Sequence, residues 1–300
     1  MPEELPSFAR SKAKGYPRRK FLLGAAAIGM ASVRRPAGHL ATAPTARLAA
    51  SDGAANAKKG VGAWTFTGVN QALADSGVSW YYTWSYNTAG ITTPAGVEFV
   101  PMIWGTADVN AAALNQAKQA GSTLLGFNEP DNADQSDMTV AKALSLWPQL
   151  MATGMTLGSP AVASNAATPG SWLSQFMRGT AVRKYPVNFI AVHWYGSAFA
   201  TATAVSQLES YLRAIYAMYG LPLWLTEFAL VNWSTNTYPT ESQQAAFATA
   251  ATSMLQTLSY VQRYAWFALP VNQSYGNTGL YNSGPVATPV GLAYQAVDAT

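Results

Sequence analysis

Short apolar runs alternate with amphipathic segments along most of the chain. Eight runs have the length of buried strands, and they occupy residues 60–66, 78–84, 98–104, 123–128, 156–162, 189–195, 221–228 and 261–269. The clearest helix is predicted over 203–219, where apolar residues recur at helical spacing before Gly220 ends it. Thr240, with Gln243 three residues later, predicts a capping box at the start of another helix. The pattern indicates a repeated strand–helix unit.

Eight buried runs with helices between them favour parallel βαβ units of the α/β class. The span from 58 to 300 matches the roughly 250 residues that a (β/α)8 barrel needs. An open doubly wound sheet is the alternative, but such a sheet often has a glycine-rich phosphate loop after its first strand, and "AWTFTGVN" lacks the G-x-G-x-x-G pattern. The sequence therefore predicts a (β/α)8 TIM barrel, folded as a single catalytic domain over 58–300.

The first fifty residues have the pattern of an export leader, followed by a linker over 51–57. In "YPRRKFLLGAAAIGMASV", Arg18 and Arg19 precede an apolar run that ends at Val33. The paired arginines resemble the twin-arginine signal of bacteria, which exports folded proteins. The run is too short to span a bilayer, so no stable membrane insertion is expected after the signal is removed between 41 and 50. A disordered basic tail is the alternative, but it leaves the apolar run without a purpose. The expected location is extracellular or periplasmic.

Composition limits the possible chemistry of this 300-residue chain. It is 49% hydrophobic, which is enough for a sizeable core. The sequence pI of about 9.2 comes from the leader, because residues 51–300 contain nine basic and twelve acidic residues and carry a net charge of −3. Nucleic acid is therefore not expected as a partner. There is no cysteine, and His193 is the one histidine besides His39 of the leader, so no cofactor, thiolate nucleophile or His-rich metal site is expected.

Two glutamates stand at the ends of predicted strands. Glu129 follows the fourth apolar run, in "LLGFNEPDNAD", and Glu227 lies in the seventh, in "LPLWLTEF". The carboxyl ends of the strands form the active-site face of a barrel, so both side chains are expected at one cleft. A pair of carboxylates suits cleavage of a glycosidic bond, in which one protonates the leaving oxygen and the other attacks the sugar or activates water. Structural ion pairs are the other explanation, and the absence of a basic residue from either motif disfavours it.

Tryptophans also cluster at or just after the predicted strand ends. Flat apolar rings in such places can stack on the C–H faces of sugars, although a single tryptophan is more often part of a core. Six positions share this pattern: Trp64, Trp84, Trp104, Trp194, Trp233 and Trp266.

Four motifs together resemble glycoside hydrolase family 128, a branch of clan A that contains β-1,3-glucanases. They are "GFNEPD", "VHWYG", "LWLTEFAL" and "LYNSGPVATPVGLAYQ", and the resemblance covers roughly residues 58–296. It implies a retaining mechanism on a (β/α)8 barrel, with Glu129 as the acid/base and Glu227 as the nucleophile. It implies β-1,3-glucan as the substrate. Together with the leader, it favours a secreted glucanase for which endo action and a monomeric state are expected, although the sequence alone does not distinguish endo from exo cleavage.

The resemblance also implies substrate-binding roles for neighbouring residues. Asn128 would hydrogen-bond the sugar 2-hydroxyl, and Trp266 would form the platform beneath the sugar. His193 and Tyr195 alternate on the sixth strand and share a face, so either could donate to Glu227. Trp104 and the "QSYGNTGLYN" loop are expected to form walls of subsites.

Two other functions fit the same residues. A retaining clan A glycosidase on a β-1,4-linked mannan or glucan would keep both glutamates, because subsite shape sets the linkage. A non-catalytic β-glucan-binding protein would need neither glutamate, and the presence of both, together with Asn128, argues against it.

Overall fold

The computed structural model describes residues 58–297, so the predicted leader, the linker over 51–57 and His39 lie outside the described residues. Ten strands are present in this part of the chain: β1 Lys59–Gly62, β2 Trp80–Tyr82, β3 Glu98–Phe99, β4 Thr123–Leu124, β5 Thr156–Leu157, β6 Ile190–Gly196, β7 Leu223–Leu230, β8 Val261–Phe267, β9 Tyr281–Asn282 and β10 Val286–Ala287. The α-helices are α1 Val69–Asp75, α2 Ala111–Ala120, α3 Val140–Met151, α4 Trp172–Arg183, α5 Thr201–Tyr219, α6 Glu241–Thr257 and α7 Pro289–Ala296. Two 3₁₀ turns cover Thr106–Asp108 and Gln273–Thr278.

The first eight strands form a closed parallel ring. Six of them pair in the order β3-β2-β1-β8-β7-β6, and β4 pairs with β5. Isolated parallel bridges complete the ring, with Met102 to Leu125 between the third and fourth strands and Gly158 to Phe189 between the fifth and sixth. The predicted α/β class and TIM-barrel fold are confirmed.

Side chains from the strands belong to two separate apolar clusters. One fills the space between the strands and the helices and includes Ile190, Val192 and Leu225. The other fills the barrel interior and includes Trp80, Ala191 and Trp224. Because neighbouring residues of a strand point to opposite sides, one strand supplies both clusters.

Glycine makes room for one large ring inside the barrel. A Cβ atom on Gly60 of β1 would lie 2.3 Å from the indole of Trp80 on the adjacent strand. The small residue on β1 therefore allows the fully buried Trp80 to fill the interior.

The local sequence signals also match the observed elements. The helix predicted over 203–219 is α5, which begins two residues earlier, at Thr201, and ends before Gly220. Thr240 and Gln243 form the predicted reciprocal capping box at the start of α6. No helix in the described part of the chain has the length and apolar character that crossing a membrane requires.

A buried lysine ties the first strand to the last helix. The Nζ atom of Lys59 lies 3.0 Å from the carbonyl oxygen of Tyr294, 3.4 Å from that of Gln295 and 2.9 Å from that of Val297. The carbonyl end of a helix carries partial negative charge, so the ammonium group satisfies both the charge and the hydrogen-bond acceptors there. Lys59 is fully buried, which makes this contact hard to replace with water.

Replacing Lys59 with methionine is expected to lower the free energy of unfolding by about 3 kcal/mol, because buried carbonyls lose a charged donor. Urea unfolding followed by circular dichroism measures the change. Lys58→Met is the matched control. Its amine donates to the carbonyls of Gln256 and Leu258 but is only partly buried, so a loss of about 1 kcal/mol is expected. Equal losses in the two variants would contradict the role given to Lys59.

Candidate active site

Glu129 lies where the fourth strand meets the mouth of the barrel. Asn128 forms an isolated parallel bridge to Ala161, just after β5, and the Glu129 amide donates to the carbonyl of Ala161 at 2.7 Å. Glu129 itself has a φ angle of 41°, in the left-handed region that non-glycine residues rarely adopt. Such a conformation costs about 1–3 kcal/mol and is common in functional sites. The turn directs a carboxylate into the cleft directly after a buried strand.

Glu227 reaches the same cleft because β7 contains a bulge. Val192 of β6 pairs with Leu225, whereas the next residue, His193, pairs with Glu227, so Thr226 is an extra residue. Strict alternation after the inward-facing Trp224 would turn Glu227 toward the helices. The bulge reverses the alternation and points Glu227 into the barrel, a common use of bulges beside active sites.

A histidine stands between the two carboxylates. His193 Nδ1 lies 2.9 Å from Glu129 Oε1, and His193 Nε2 lies 3.6 Å from Glu227 Oε1. One carboxylate oxygen of each glutamate and one nitrogen of the imidazole all lie within 4.8 Å of one another. All three side chains are at least 97% buried. The structure thus brings together the two predicted glutamates and the predicted histidine.

Aromatic side chains hold the carboxylate of Glu227 through hydrogen bonds. The indole of Trp84 donates to Oε1 at 2.8 Å, and the phenol of Tyr195 donates to Oε2. Burial raises the pKa of Tyr195 well above its usual value, and the charge of Glu227 raises this pKa further. The phenol therefore keeps its proton at any pH near neutrality and remains a hydrogen-bond donor to Glu227. Tyr195 and His193 share a face of β6 as predicted, and Tyr195 is the one that donates to Glu227.

The polar residues around Glu129 differ in their hydrogen bonding. Asn132 Nδ2 donates to Glu129 Oε2 at 3.1 Å, which fixes the second oxygen of the carboxylate. Asn128 Nδ2 donates to Gln135 Oε1 at 3.2 Å, while Asn128 Oδ1 is buried with no hydrogen-bond partner among the described residues. The indole nitrogen of Trp104, at the end of the third apolar run, is also buried without such a partner. These two atoms form an acceptor and a donor that sugar hydroxyls could satisfy.

Aromatic rings form a continuous wall beside Glu227. The Trp233 ring packs edge-on against Tyr195 with centroids 5.3 Å apart and against Tyr275 with centroids 6.1 Å apart. Trp104 and Trp233 are partly exposed, unlike the other tryptophans of this region. The wall is completed by the buried rings Trp64, Trp84 and Phe267.

The expectation for Trp266 is wrong. Its side chain is fully buried between β8 and the helices, where it packs against Phe247 and Tyr294 and donates to the carbonyl of Thr278 at 2.6 Å. It has no surface to offer to a sugar. Trp194 also faces the helices, since it stacks on Phe247 with centroids 5.7 Å apart.

Three residues of the site are not marked as such by the sequence pattern. Trp84 was recognised as an aromatic near a strand end, but its hydrogen bond to Glu227 joins residues 143 positions apart. Asn132 and Gln135 carry a weaker local signal, because polar residues close to Glu129 lie in the turns that follow it. The backbone amide of Asn132 donates to the carbonyl of Glu129 at 3.0 Å, which brings the amide side chain back to the carboxylate.

Comparison with known proteins places this site in a family. The model of the "Glycosyl hydrolase catalytic core" family matches residues 61–294. A crystal structure of a GH128 (subgroup I) endo-β-1,3-glucanase from Amycolatopsis mediterranei, in complex with laminaritriose, is 54% identical in sequence. It superposes with a TM-score of 0.77, over 80% of this chain and 99% of that one.

Two fungal proteins are more distant. The GH128 (subgroup III) curdlan-specific exo-β-1,3-glucanase from Blastomyces gilchristii is 31% identical, with a TM-score of 0.63 over 80% of this chain and 98% of that one. The curated protein "Alkali-sensitive linkage protein 1" of Schizosaccharomyces pombe is 34% identical over 252 residues, which are 79% of this chain. The chain spans 44% of the length of that relative.

Proposed function

The chain belongs to the glycosyl hydrolase catalytic core family and, within it, to glycoside hydrolase family 128, and from this membership we propose that it is a secreted endo-β-1,3-glucanase with a retaining mechanism. The observation that carries the mechanism is the short distance between Glu129 and Glu227, whose nearest oxygens lie within 4.8 Å. Retaining enzymes hold their carboxyl groups about 5–5.5 Å apart, whereas inverting enzymes leave about 6.5–9.5 Å for a water molecule.

In the first step, Glu227 attacks the anomeric carbon while Glu129 protonates the glycosidic oxygen. The C–O bond to the leaving chain breaks, its electron pair takes the proton of Glu129, and a covalent glycosyl-enzyme forms on Glu227. The hydrogen bonds from Trp84 and Tyr195 hold the carboxylate of Glu227 in one orientation before the attack. His193 and Asn132 hold Glu129 beside the bond that breaks.

In the second step, water releases the sugar. Glu129, now a carboxylate, takes a proton from the water, and the water oxygen bonds to the anomeric carbon as the bond to Glu227 breaks. Two inversions leave the product in the β-configuration. Asn128 Oδ1 is suited to accept a hydrogen bond from the sugar 2-hydroxyl in both steps, because it has no partner among the described residues.

Similarity supports the substrate and the manner of cleavage. The endo-acting subgroup I enzyme is 54% identical to this chain, against 31% for the exo-acting subgroup III enzyme. Variants of the subgroup I enzyme with one glutamate replaced were crystallised with laminarihexaose or laminaripentaose. We assign Trp104 and Trp233 as sugar-stacking rings, since both residues are partly exposed, the Trp233 ring packs on Tyr195, and the Trp104 carbonyl accepts from the amide of Asn128. We assign the catalytic domain to residues 58–300 and expect the enzyme to be a monomer.

Digestion of soluble linear β-1,3-glucan, with the chain lengths of the products resolved over time, tests the assignment. A spread of intermediate oligosaccharides is expected at early times, together with little release from cellulose, xylan or mannan. Glucose as the sole early product would replace endo with exo action. Comparable rates on a β-1,4-linked polymer would favour the alternative glycosidase. Binding of glucan without cleavage would show that the protein is a non-catalytic glucan-binding protein.

Export by the twin-arginine route is tested by replacing Arg18 and Arg19 with lysine. The paired arginines are the part of the signal that the export machinery reads, so the precursor is expected to accumulate in the cytoplasm. Fractionation of cells and immunoblotting measure the ratio of precursor to exported protein. Replacing Lys12 and Lys14 with arginine is the matched control and is expected to leave export unchanged. Normal secretion of the twin-lysine variant would rule out this route.

A further inference from the structure

His193 presents a nitrogen to the catalytic centre that no hydrogen bond uses. Among the described residues, Nε2 has no hydrogen-bond partner, and the side chain is 97% buried. Nδ1, on the opposite edge of the ring, is 2.9 Å from Glu129 Oε1. When Nδ1 carries the proton and donates it to the carboxylate, Nε2 holds a lone pair on the edge of the ring that lies nearest Glu227.

The distance between Nε2 and Glu227 Oε1 matches a pair of metal ligands. They are 3.6 Å apart, too far for a hydrogen bond. Zinc binds imidazole nitrogen and carboxylate oxygen at about 2.0–2.2 Å, so two ligands at a tetrahedral angle stand roughly 3.4 Å apart. The observed separation is within about 0.2 Å of this value.

Glu129 occupies the position that a supporting carboxylate takes in zinc sites. A histidine bound to zinc usually donates its other N–H group to a carboxylate or carbonyl, which fixes the tautomer and the ring orientation. The contact between His193 Nδ1 and Glu129 Oε1 supplies this arrangement. Trp84 and Tyr195 hold the carboxylate of Glu227 in the same way.

We propose that His193 Nε2 and Glu227 Oε1 form a binding site for zinc that inhibits the enzyme. Water fills the other positions around the metal. Zinc bound there coordinates a carboxylate oxygen of Glu227 that the attack on the sugar requires. Zinc and substrate therefore exclude each other. The site is selective for metals that accept imidazole, because Mg²⁺ and Ca²⁺ prefer oxygen ligands alone.

The chain offers a matched pair of histidines for the test. Calorimetric titration of the full chain with ZnCl₂ is expected to show one site, which is retained in His39→Gln and abolished in His193→Gln. Glu129→Gln changes the carboxylate behind Nδ1 to an amide, and a loss of about 10–100-fold in zinc affinity is expected. MgCl₂ is expected to produce no binding heat. Zinc binding of equal strength in His193→Gln would overturn the proposal, since it would place the metal elsewhere.

A second measurement does not depend on the folding of the His193 variant. In His39→Gln, His193 is the one histidine of the chain, so every imidazole signal in a nuclear magnetic resonance spectrum belongs to it. Addition of ZnCl₂ is expected to shift the Nε2 resonance strongly, and an unchanged Nε2 resonance at saturating zinc contradicts the proposal. Both readouts are independent of the glucan assignment, because failure to cleave glucan would remove the proposed function and leave zinc binding measurable.

Discussion

Replacement of Glu227 with alanine is expected to reduce the hydrolysis of linear β-1,3-glucan by roughly 10⁴-fold or more, the order of loss seen when an enzyme loses its nucleophile. No other carboxylate of the described residues lies close enough to His193 and Glu129 to replace it. Added azide is expected to restore part of the cleavage, because it fits the space that the side chain leaves. Since a single displacement then takes place, the product is the α-configured glycosyl azide. Product configuration measured by nuclear magnetic resonance checks this result.

Glu98→Ala is the matched control for this experiment. Glu98 begins β3 at the opposite end of the barrel, where it pairs with Arg263 at 2.6 Å and is partly exposed. Its loss is expected to leave glucan hydrolysis near the level of the unmodified enzyme, and azide is expected to have no effect. Formation of a β-configured azide from Glu227→Ala would show that Glu227 is not the nucleophile.

The pattern of apolar and polar residues was sufficient to predict the barrel and the position of Glu129 at its mouth. Each of the eight apolar runs contains or overlaps one of the first eight strands, since a strand buried on both faces needs apolar side chains on each. Glu129 could be assigned to the cleft because the carboxyl ends of barrel strands meet there. The pairing of His193 with Tyr195 followed from the period of two along β6.

The bulge in β7 could not be predicted, although the position of Glu227 depends on it. In "LWLTEFAL" every residue is buried, so polarity does not mark which face each side chain takes. If side chains alternated strictly from the inward-facing Trp224, Thr226 would lie in the cleft and Glu227 would face the helices. Pairing with both neighbouring strands decides the register, and those contacts join residues more than 30 positions apart.

The sequence also could not predict which face of its strand each tryptophan takes. Trp233 and Trp266 both follow or end a strand, yet Trp233 is partly exposed beside Tyr195 and Trp266 is fully buried against the helices. A large apolar ring gains free energy from burial on either face of the strand, so its sequence position does not determine the face. A carboxylate is different, because an ionised group is stable only where polar partners or water are available.

Replacement of Glu129 with alanine is expected to have an effect that depends on the leaving group. With linear β-1,3-glucan, whose leaving oxygen needs a proton, the rate is expected to fall by about 10²–10⁴-fold, the usual contribution of a general acid. With a dinitrophenyl β-glycoside, which departs without a proton, Glu227 can still attack and form the glycosyl-enzyme. The second step then stalls, because no base at position 129 activates water. A rapid burst of dinitrophenol followed by slow turnover is expected in stopped-flow absorbance measurements.

Azide distinguishes this variant from Glu227→Ala. Azide needs no base, so it is expected to release the stalled sugar by attack on the glycosyl-enzyme, which gives a β-configured product after two inversions. Asp134→Ala is the matched control, since it removes an exposed carboxylate five positions further along the same loop, and neither a burst nor an azide effect is expected from it. Azide products of reversed configuration in the two glutamate variants would mean that acid and nucleophile are exchanged. Inverted product from the unmodified enzyme would reject double displacement. It would also require a water molecule to fit between the base and the sugar, although the two carboxylates lie within 4.8 Å of each other.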